Sequence, residues 1–204
     1  MSIFKQLTDK SWATQGVIGA INDRSLGPGP AAKTGLGFFL AVLTSVFGLF
    51  VVGYRLRMAE PDWVPIADPG LLWFNTVLLI LSSIFMERAK HATAKGQIAA
   101  VRNNLTVAGL MTVGFLVGQY LAWGQLHTAG YYAAGDAAAA FFYLLTALHG
   151  FHLLGGLFVW ARAAFKTWQN IEVARIKLSV ELCTTYWHYL LLVWFVFFTL
   201  LLST

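Results

Sequence analysis

The chain has 204 residues, and its fourteen Lys and Arg all lie outside five long apolar stretches. Lys5, Lys10, Arg24 and Lys33 precede the first stretch, and Arg55 and Arg57 separate the first from the second. Arg88, Lys90, Lys95 and Arg102 lie between the second and third. No Lys or Arg lies between the third and fourth; Arg162, Lys166, Arg175 and Lys177 lie between the fourth and fifth, and none follows. The charge-free windows are Thr34–Tyr54, Pro69–Met86, Asn103–Gly135, Ala137–Ala161 and Leu182–Thr204. The hydrocarbon layer of a bilayer is about 30 Å thick and needs roughly 20 apolar residues to cross as a helix. Only helices and closed barrels satisfy every backbone hydrogen bond in lipid. Continuous apolar runs, unlike short alternating ones, select helices. The sequence therefore predicts an all-α polytopic membrane protein with five spans. Basic residues concentrate in cytoplasmic loops, so the alternation predicts a cytoplasmic N-terminus and a periplasmic C-terminus.

Composition narrows the function classes. Only 11% of residues are charged, against about 25% for soluble domains. The net charge of +5 does not predict nucleic-acid binding, because the cations are partitioned by topology instead of forming one stripe. Orientation and contact with anionic lipid account for them. The lone cysteine, Cys183, falls within the last span and has no second thiol for a disulfide or a CxxC site. It reads as a small buried apolar residue. Residues 1–30 lack the long apolar core of a cleavable signal, so the first span is expected to direct insertion.

The predicted organisation is a lead segment over residues 1–32 and a membrane domain over 33–204. The spans fall near 34–54, 69–87, 104–125, 137–163 and 181–203. In the lead segment, Ile3, Phe4, Leu7, Trp12, Val17, Ile18 and Ile21 suggest an amphipathic piece lying on the membrane surface or on a partner. Leu26-Gly27-Pro28-Gly29-Pro30 reads as a break before the first span. A loop is expected around His127, Gly130 and Asp136, and a further helical piece over Thr167–Ser179. Gly114, Gly118 and Ala122 form a small-residue stripe on span three that lets another helix approach closely.

Ionisable groups inside a bilayer are costly, so each is a candidate for function. His149 and His152 share one face of span four, and His188 lies at a similar depth on the antiparallel span five. Glu181 stands at the inner edge of span five, close to Lys177. Asn75 and Gln119 are the strongest uncharged polar groups. The three histidines admit a metal or haem reading, but without Cys or a nearby carboxylate the set is thin. Alternatively, each imidazole bonds a neighbouring helix or a headgroup. No Ser/His/Asp arrangement, phosphate loop or HExxH motif is apparent.

Three stretches carry a family resemblance. One is Leu148-His149-Gly150-Phe151-His152-Leu153-Leu154-Gly155-Gly156, with Phe141 and Phe142 ahead of it. The second is Tyr186-Trp187-His188-Tyr189 followed by Val193-Trp194-Phe195, with Glu181 upstream. The third is Pro69-Gly70-Leu71-Leu72-Trp73-Phe74-Asn75-Thr76, running into Leu81-Ser82-Ser83. Their order and spacing over Lys33–Thr204 resemble subunit III of the haem-copper oxidases, and the chain looks like a divergent bacterial member with five helices.

The resemblance implies a non-catalytic accessory subunit without a metal of its own. It implies packing on subunit I, which holds haem and copper, within a complex that includes subunit II. Bound phospholipid, a bacterial inner-membrane location, and support of proton uptake and turnover stability are further implications. His149, His152, Glu181, Trp187, His188 and Trp194 match family positions, and Gln119 is kept. Three acids common in the family fall here within Leu43-Thr44-Ser45, on Ala122 and on Leu191. Their absence weakens any proton-collecting role through those positions.

Other readings are a haem-b membrane anchor using paired histidines, a partner of a nitric oxide reductase, and a small transporter. The absence of a repeat and of proline in spans three to five argues against a transporter.

Overall fold

A computed structural model describes residues 28–66, 70–169 and 173–203. The lead-segment reading over residues 1–27 lies outside the described residues. Five helices follow in order: α1 Pro28–Met58, α2 Leu71–Ala94, α3 Ile98–Thr128, α4 Ala137–Trp168 and α5 Val173–Leu202. All five are long and apolar enough to cross a bilayer, so this is an all-helical, multi-pass membrane protein. The chain divides into two units, Met1–Gly37 and Phe38–Thr204; every contact described below lies within the second.

The helices outrun the charge-free windows. At 1.5 Å per residue, the 31 residues of α3 reach about 46 Å, well beyond the hydrocarbon layer. Arg55 and Arg57 thus fall in the last turn of α1, Arg102 in α3, and His127 in the last turn of α3 instead of in a loop. Charged ends of this kind project past the apolar slab while the backbone stays helical. Thr167 is the penultimate residue of α4, so the helical piece expected over Thr167–Ser179 is split between the ends of α4 and α5.

The turn between α2 and α3 is set by Gly96, whose φ is +70°. Gln97 N–H donates to Ala92 O and Gly96 N–H to Thr93 O, the Schellman pattern that needs a left-handed residue at that position. Gly130, with φ +92°, closes α3 in the same way: Tyr131 N–H donates to Leu126 O and Gly130 N–H to His127 O. The short Gly96 turn makes α2 and α3 antiparallel neighbours.

Small residues then set the distance between helices. Gly118 lies so close to α2 that a Cβ there would stand 2.0 Å from Asn75 Oδ1, and one on Gly114 would be 3.4 Å from Leu78 Cδ1. The Gly114, Gly118 and Ala122 stripe is therefore the α2 face of α3, and Ala122 is fully buried. Two further glycines perform the same task without a stripe to announce them. A Cβ on Gly109 would fall 2.2 Å from the Trp160 indole of α4, and one on Gly156 would fall 2.9 Å from the Tyr186 ring of α5.

The buried side chains form two clusters. One gathers Leu72, Leu79, Phe115, Phe142, Leu145, Trp194 and Phe197. The other gathers Met86, Val101, Leu105, Ala108, Val180, Cys183 and Trp187. Large apolar side chains also point outward, among them Phe38, Leu49, Tyr120, Phe151 and Phe158. In water such a surface would drive association; in a bilayer it is free to meet acyl chains or another membrane helix.

Candidate functional site along the seam of α2, α3 and α5

The three sequence stretches that carry the resemblance meet in space. Trp187 and Trp194 are seven residues apart on α5, two helical turns, so both face the same way. Trp187 Nε1–H donates to Ser82 Oγ at 2.9 Å and to Thr112 Oγ1 at 3.2 Å. Those two hydroxyls are 2.7 Å apart and both reach Ala108 O, at 2.8 and 3.0 Å. Trp194 Nε1–H donates to Thr76 Oγ1 at 2.9 Å. Thr184 Oγ1 reaches Met86 O at 3.3 Å. The result is a buried polar seam that ties α5 to α2 at three levels and to α3 at one. Such bonds matter in lipid because water is not there to replace them.

His149 belongs to this seam through its ring. It is fully buried, with ring centroids 5.3 Å from Trp194, 5.8 Å from Phe115 and 6.4 Å from Phe197. Among the described residues, no protein group hydrogen-bonds either of its nitrogens. His152 faces a different way: its Nδ1 is 2.7 Å from Leu148 O, its ring packs edge-on to Phe47 of α1, and its carbonyl accepts from Tyr186. Asn75 and Gln119 face each other, with Asn75 Nδ2 3.5 Å from Gln119 Oε1. The lack of a Cβ on Gly118 leaves room for the Asn75 carboxamide.

His188 does not join the other histidines. It points to α2, where Ser83 Oγ lies against its Nδ1 and Glu87 Oε2 lies 3.0 Å from its Nε2. With the proton on Nε2, Ser83 donates to the ring and the ring donates to Glu87. Glu87 Oε1 also accepts from Lys90 at 3.0 Å and stands 3.2 Å from His91 Nε2. Similar depth does not bring His188 to the histidines of α4. His149, His152 and His188 occupy three different environments, because Trp187 and Trp194 fix the rotation of α5 and turn His188 away from α4. No group of three or more His, Cys, Asp or Glu among the described residues is arranged to hold a metal ion.

Ser83, His188 and Glu87 do form the Ser-His-acid series that the sequence reading did not find, since its members lie up to 105 residues apart. The series is not set up for acyl transfer. Ser83 sits inside α2, where the neighbouring backbone N–H groups are used by the helix and are not free to act as oxyanion donors. What the arrangement can do is hold a carboxylate in place at the membrane edge by several donors.

Glu87 and His91 are the residues the sequence reading missed. Their signal was present as a carboxylate with Lys and His three and four residues on, one helix turn away. Glu181 is half-buried on α5, and Cys183 is buried. In the turn after α1, Arg57 Nη1 donates to Asp62 Oδ1 at 2.6 Å. This bond holds the Asp62 carboxyl below its ordinary value.

Comparison with known proteins identifies the family. The cytochrome c oxidase subunit III family pattern matches residues 36–203. Cytochrome c oxidase subunit 3 of Synechocystis sp. is 28% identical over 172 residues, covering 81% of this chain and 72% of that protein. The same-named protein of Thermostichus vulcanus is 28% identical, covering 82% and 84%. A probable cytochrome c oxidase subunit 3 of Mycobacterium leprae is 29% identical, covering 76% and 78%. With the family pattern matched over residues 36–203, the chain belongs to the cytochrome c oxidase subunit III family.

Proposed function

We propose that this chain is a non-catalytic accessory subunit of a bacterial haem-copper terminal oxidase. It sits in the inner membrane with its N-terminus cytoplasmic and its C-terminus periplasmic. It packs on subunit I, in a complex with subunit II, and carries bound phospholipid. Its task is to keep subunit I stable during turnover and to support proton uptake there. Haem and copper belong to subunit I.

The observation that carries this reading is the use made of the polar residues. Trp187, Trp194, Ser82, Thr76 and Thr112 are spent on joining helices, and the histidines are separated. Such a chain is built as a rigid membrane scaffold. The family match across residues 36–203 supplies the kind of complex. The 4, 2, 4, 0, 4, 0 distribution of Lys and Arg supports the orientation.

Gentle detergent extraction followed by identification of co-migrating chains and a visible spectrum tests the assignment. Oxidase subunits with haem bands should co-purify, while the chain expressed alone should be colourless. Deleting the gene should leave the haem and copper content of the remaining complex largely intact, while activity decays during turnover. Loss of those metals on deletion, or a reducible chromophore on the isolated chain, would overturn the assignment.

A further inference from the structure

The hydrogen bonds of the seam leave three buried polar side chains unfinished. Among the described residues, no protein group hydrogen-bonds His149 Nδ1, His149 Nε2, Gln119 Nε2 or Asn75 Oδ1. His149 and Asn75 are fully buried, and Gln119 is nearly so. Buried polar groups are almost always paired, with protein or with ordered water. In lipid the need is greater, because bulk water cannot reach them.

Helix register places these groups at one level of the bundle. His149 of α4 packs on Phe115 of α3, with ring centroids 5.8 Å apart. One turn away on α4, Thr146 accepts from Trp123 Nε1 at 3.0 Å. Phe115, Gln119 and Trp123 follow one another at four-residue spacing and share a face of α3. Gln119 therefore stands between these two contacts, opposite the turn of α4 that runs from Thr146 to His149. On its other side is α2, where Asn75 Nδ2 lies 3.5 Å from Gln119 Oε1. Helix α5 closes the node: Trp194 packs 5.3 Å from His149 and donates to Thr76, the neighbour of Asn75.

The unmet valences identify the ligand. Gln119 Nε2 is a donor, Asn75 Oδ1 is an acceptor, and an imidazole with one proton offers one of each. Turning both carboxamides over keeps one bond between them and again leaves one atom of each unmet. A cation would use acceptors alone, and an anion donors alone. The Phe115, Trp194 and Phe197 rings crowd His149, so the ligand is of the smallest size. Water is the molecule of that size that both donates and accepts, and buried waters typically make about three hydrogen bonds.

We infer that a buried water bridges Gln119 and His149 at the centre of α2, α3, α4 and α5. It accepts from Gln119 Nε2 and donates to the unprotonated nitrogen of His149. Its second hydrogen serves Asn75 Oδ1. His149 is thus a water-holding residue that pins α4 to α3 and, through Asn75, to α2. The inference concerns the core of this chain alone and does not rest on the proposed function.

The test uses the protein as extracted from membranes in mild detergent, with whatever chains accompany it. A density map fine enough to show ordered water should carry a separate peak within hydrogen-bond distance, about 2.7–3.2 Å, of both Gln119 and His149. His149→Phe keeps a ring and removes both nitrogens. The peak should vanish, and the unfolding midpoint should fall because Gln119 loses its partner. Gln119→Leu should also lose the peak. The double variant should be destabilised by less than the sum of the two single losses, because both break the same bridge.

A parent map without the peak would overturn the inference. So would a peak touching only one of the two residues, or a Gln119 carboxamide bonded straight to His149. An unchanged or raised midpoint in His149→Phe would overturn it as well, since removing an imidazole with bare nitrogens costs no hydrogen bond. Strictly additive losses would show that the residues share no ligand, with the same result. If a variant does not accumulate, the parent map still decides. Absence of oxidase subunits from every preparation would instead count against the proposed function and leave the water site to the map.

Discussion

The seam of α2, α3 and α5 and the attachment of α1 use the same kinds of residue in opposite ways. In the seam, each tryptophan ring is fully buried and its N–H finds a hydroxyl on another helix. In α1, only 11% of the most apolar window is buried, and beyond Gly37 the helix is held by ring edges. Phe47 packs edge-on to His152 and Phe197, and Tyr54 to Phe141. Thr44 Oγ1 also bonds Tyr189 Oη, at 3.1 Å in an exposed position. The contrast teaches that length and hydropathy fix which segments enter the bilayer, whereas a few hydroxyl and indole groups fix which of them bind one another firmly.

The contrast can be broken by mutation. Trp187→Ala removes a fully buried indole and should cost about 3–5 kcal/mol, read as a drop in unfolding midpoint in detergent. A loss no greater than that of an exposed-face change would end the claim that the seam dominates. Gly109→Ala puts a methyl against the rigid Trp160 indole and should cost about 1–3 kcal/mol by overpacking. Near-neutral behaviour there would show that α3 and α4 slide apart easily. Trp187→Phe keeps an aromatic ring but deletes the N–H and part of the indole; about 1–3 kcal/mol is expected. Thr44→Val removes the exposed α1 bond and should cost less than about 0.5 kcal/mol. If Thr44→Val matched Trp187→Phe, the two attachments would be equivalent.

The smallest expected effect concerns the turn after α1. Because Asp62 titrates below its ordinary value in the fold, its bond to Arg57 is complete above the usual carboxylate range and is lost as pH falls through the depressed value. Protease nicking of the turn should therefore rise only in acid, and Asp62→Asn should show the acid pattern at neutral pH. Nicking that is independent of both would show that the bond does not hold the turn.

Much of this was legible in the chain. The five helices follow from apolar runs too long for anything but a crossing, and a close-packing face on α3 follows from Gly114, Gly118 and Ala122, though not that α2 is the helix it meets. Helix ends were not legible, since a helix continues past the slab wherever the chain stays favourable. His127 was therefore misplaced into a loop. The rotation of α5 was not legible either. His152 and His188 do lie at comparable depth, but depth along an axis says nothing about angle around it. The angle is set by Ser82, Thr112 and Thr76, residues too ordinary in a membrane helix to stand out. The pairing of Gly109 with Trp160 was invisible for the same reason, because it joins residues 51 positions apart by shape alone.

The spacing of Trp187 and Trp194 has a consequence for biogenesis. Both hydroxyl sets they engage lie on helices that leave the ribosome earlier, so Ser82 and Thr112 enter the membrane before their indole arrives. A nascent chain halted before α5 displays these groups to lipid. It should be an unstable intermediate, one that membrane proteases and insertases can distinguish from the finished subunit by its incomplete polar pairing.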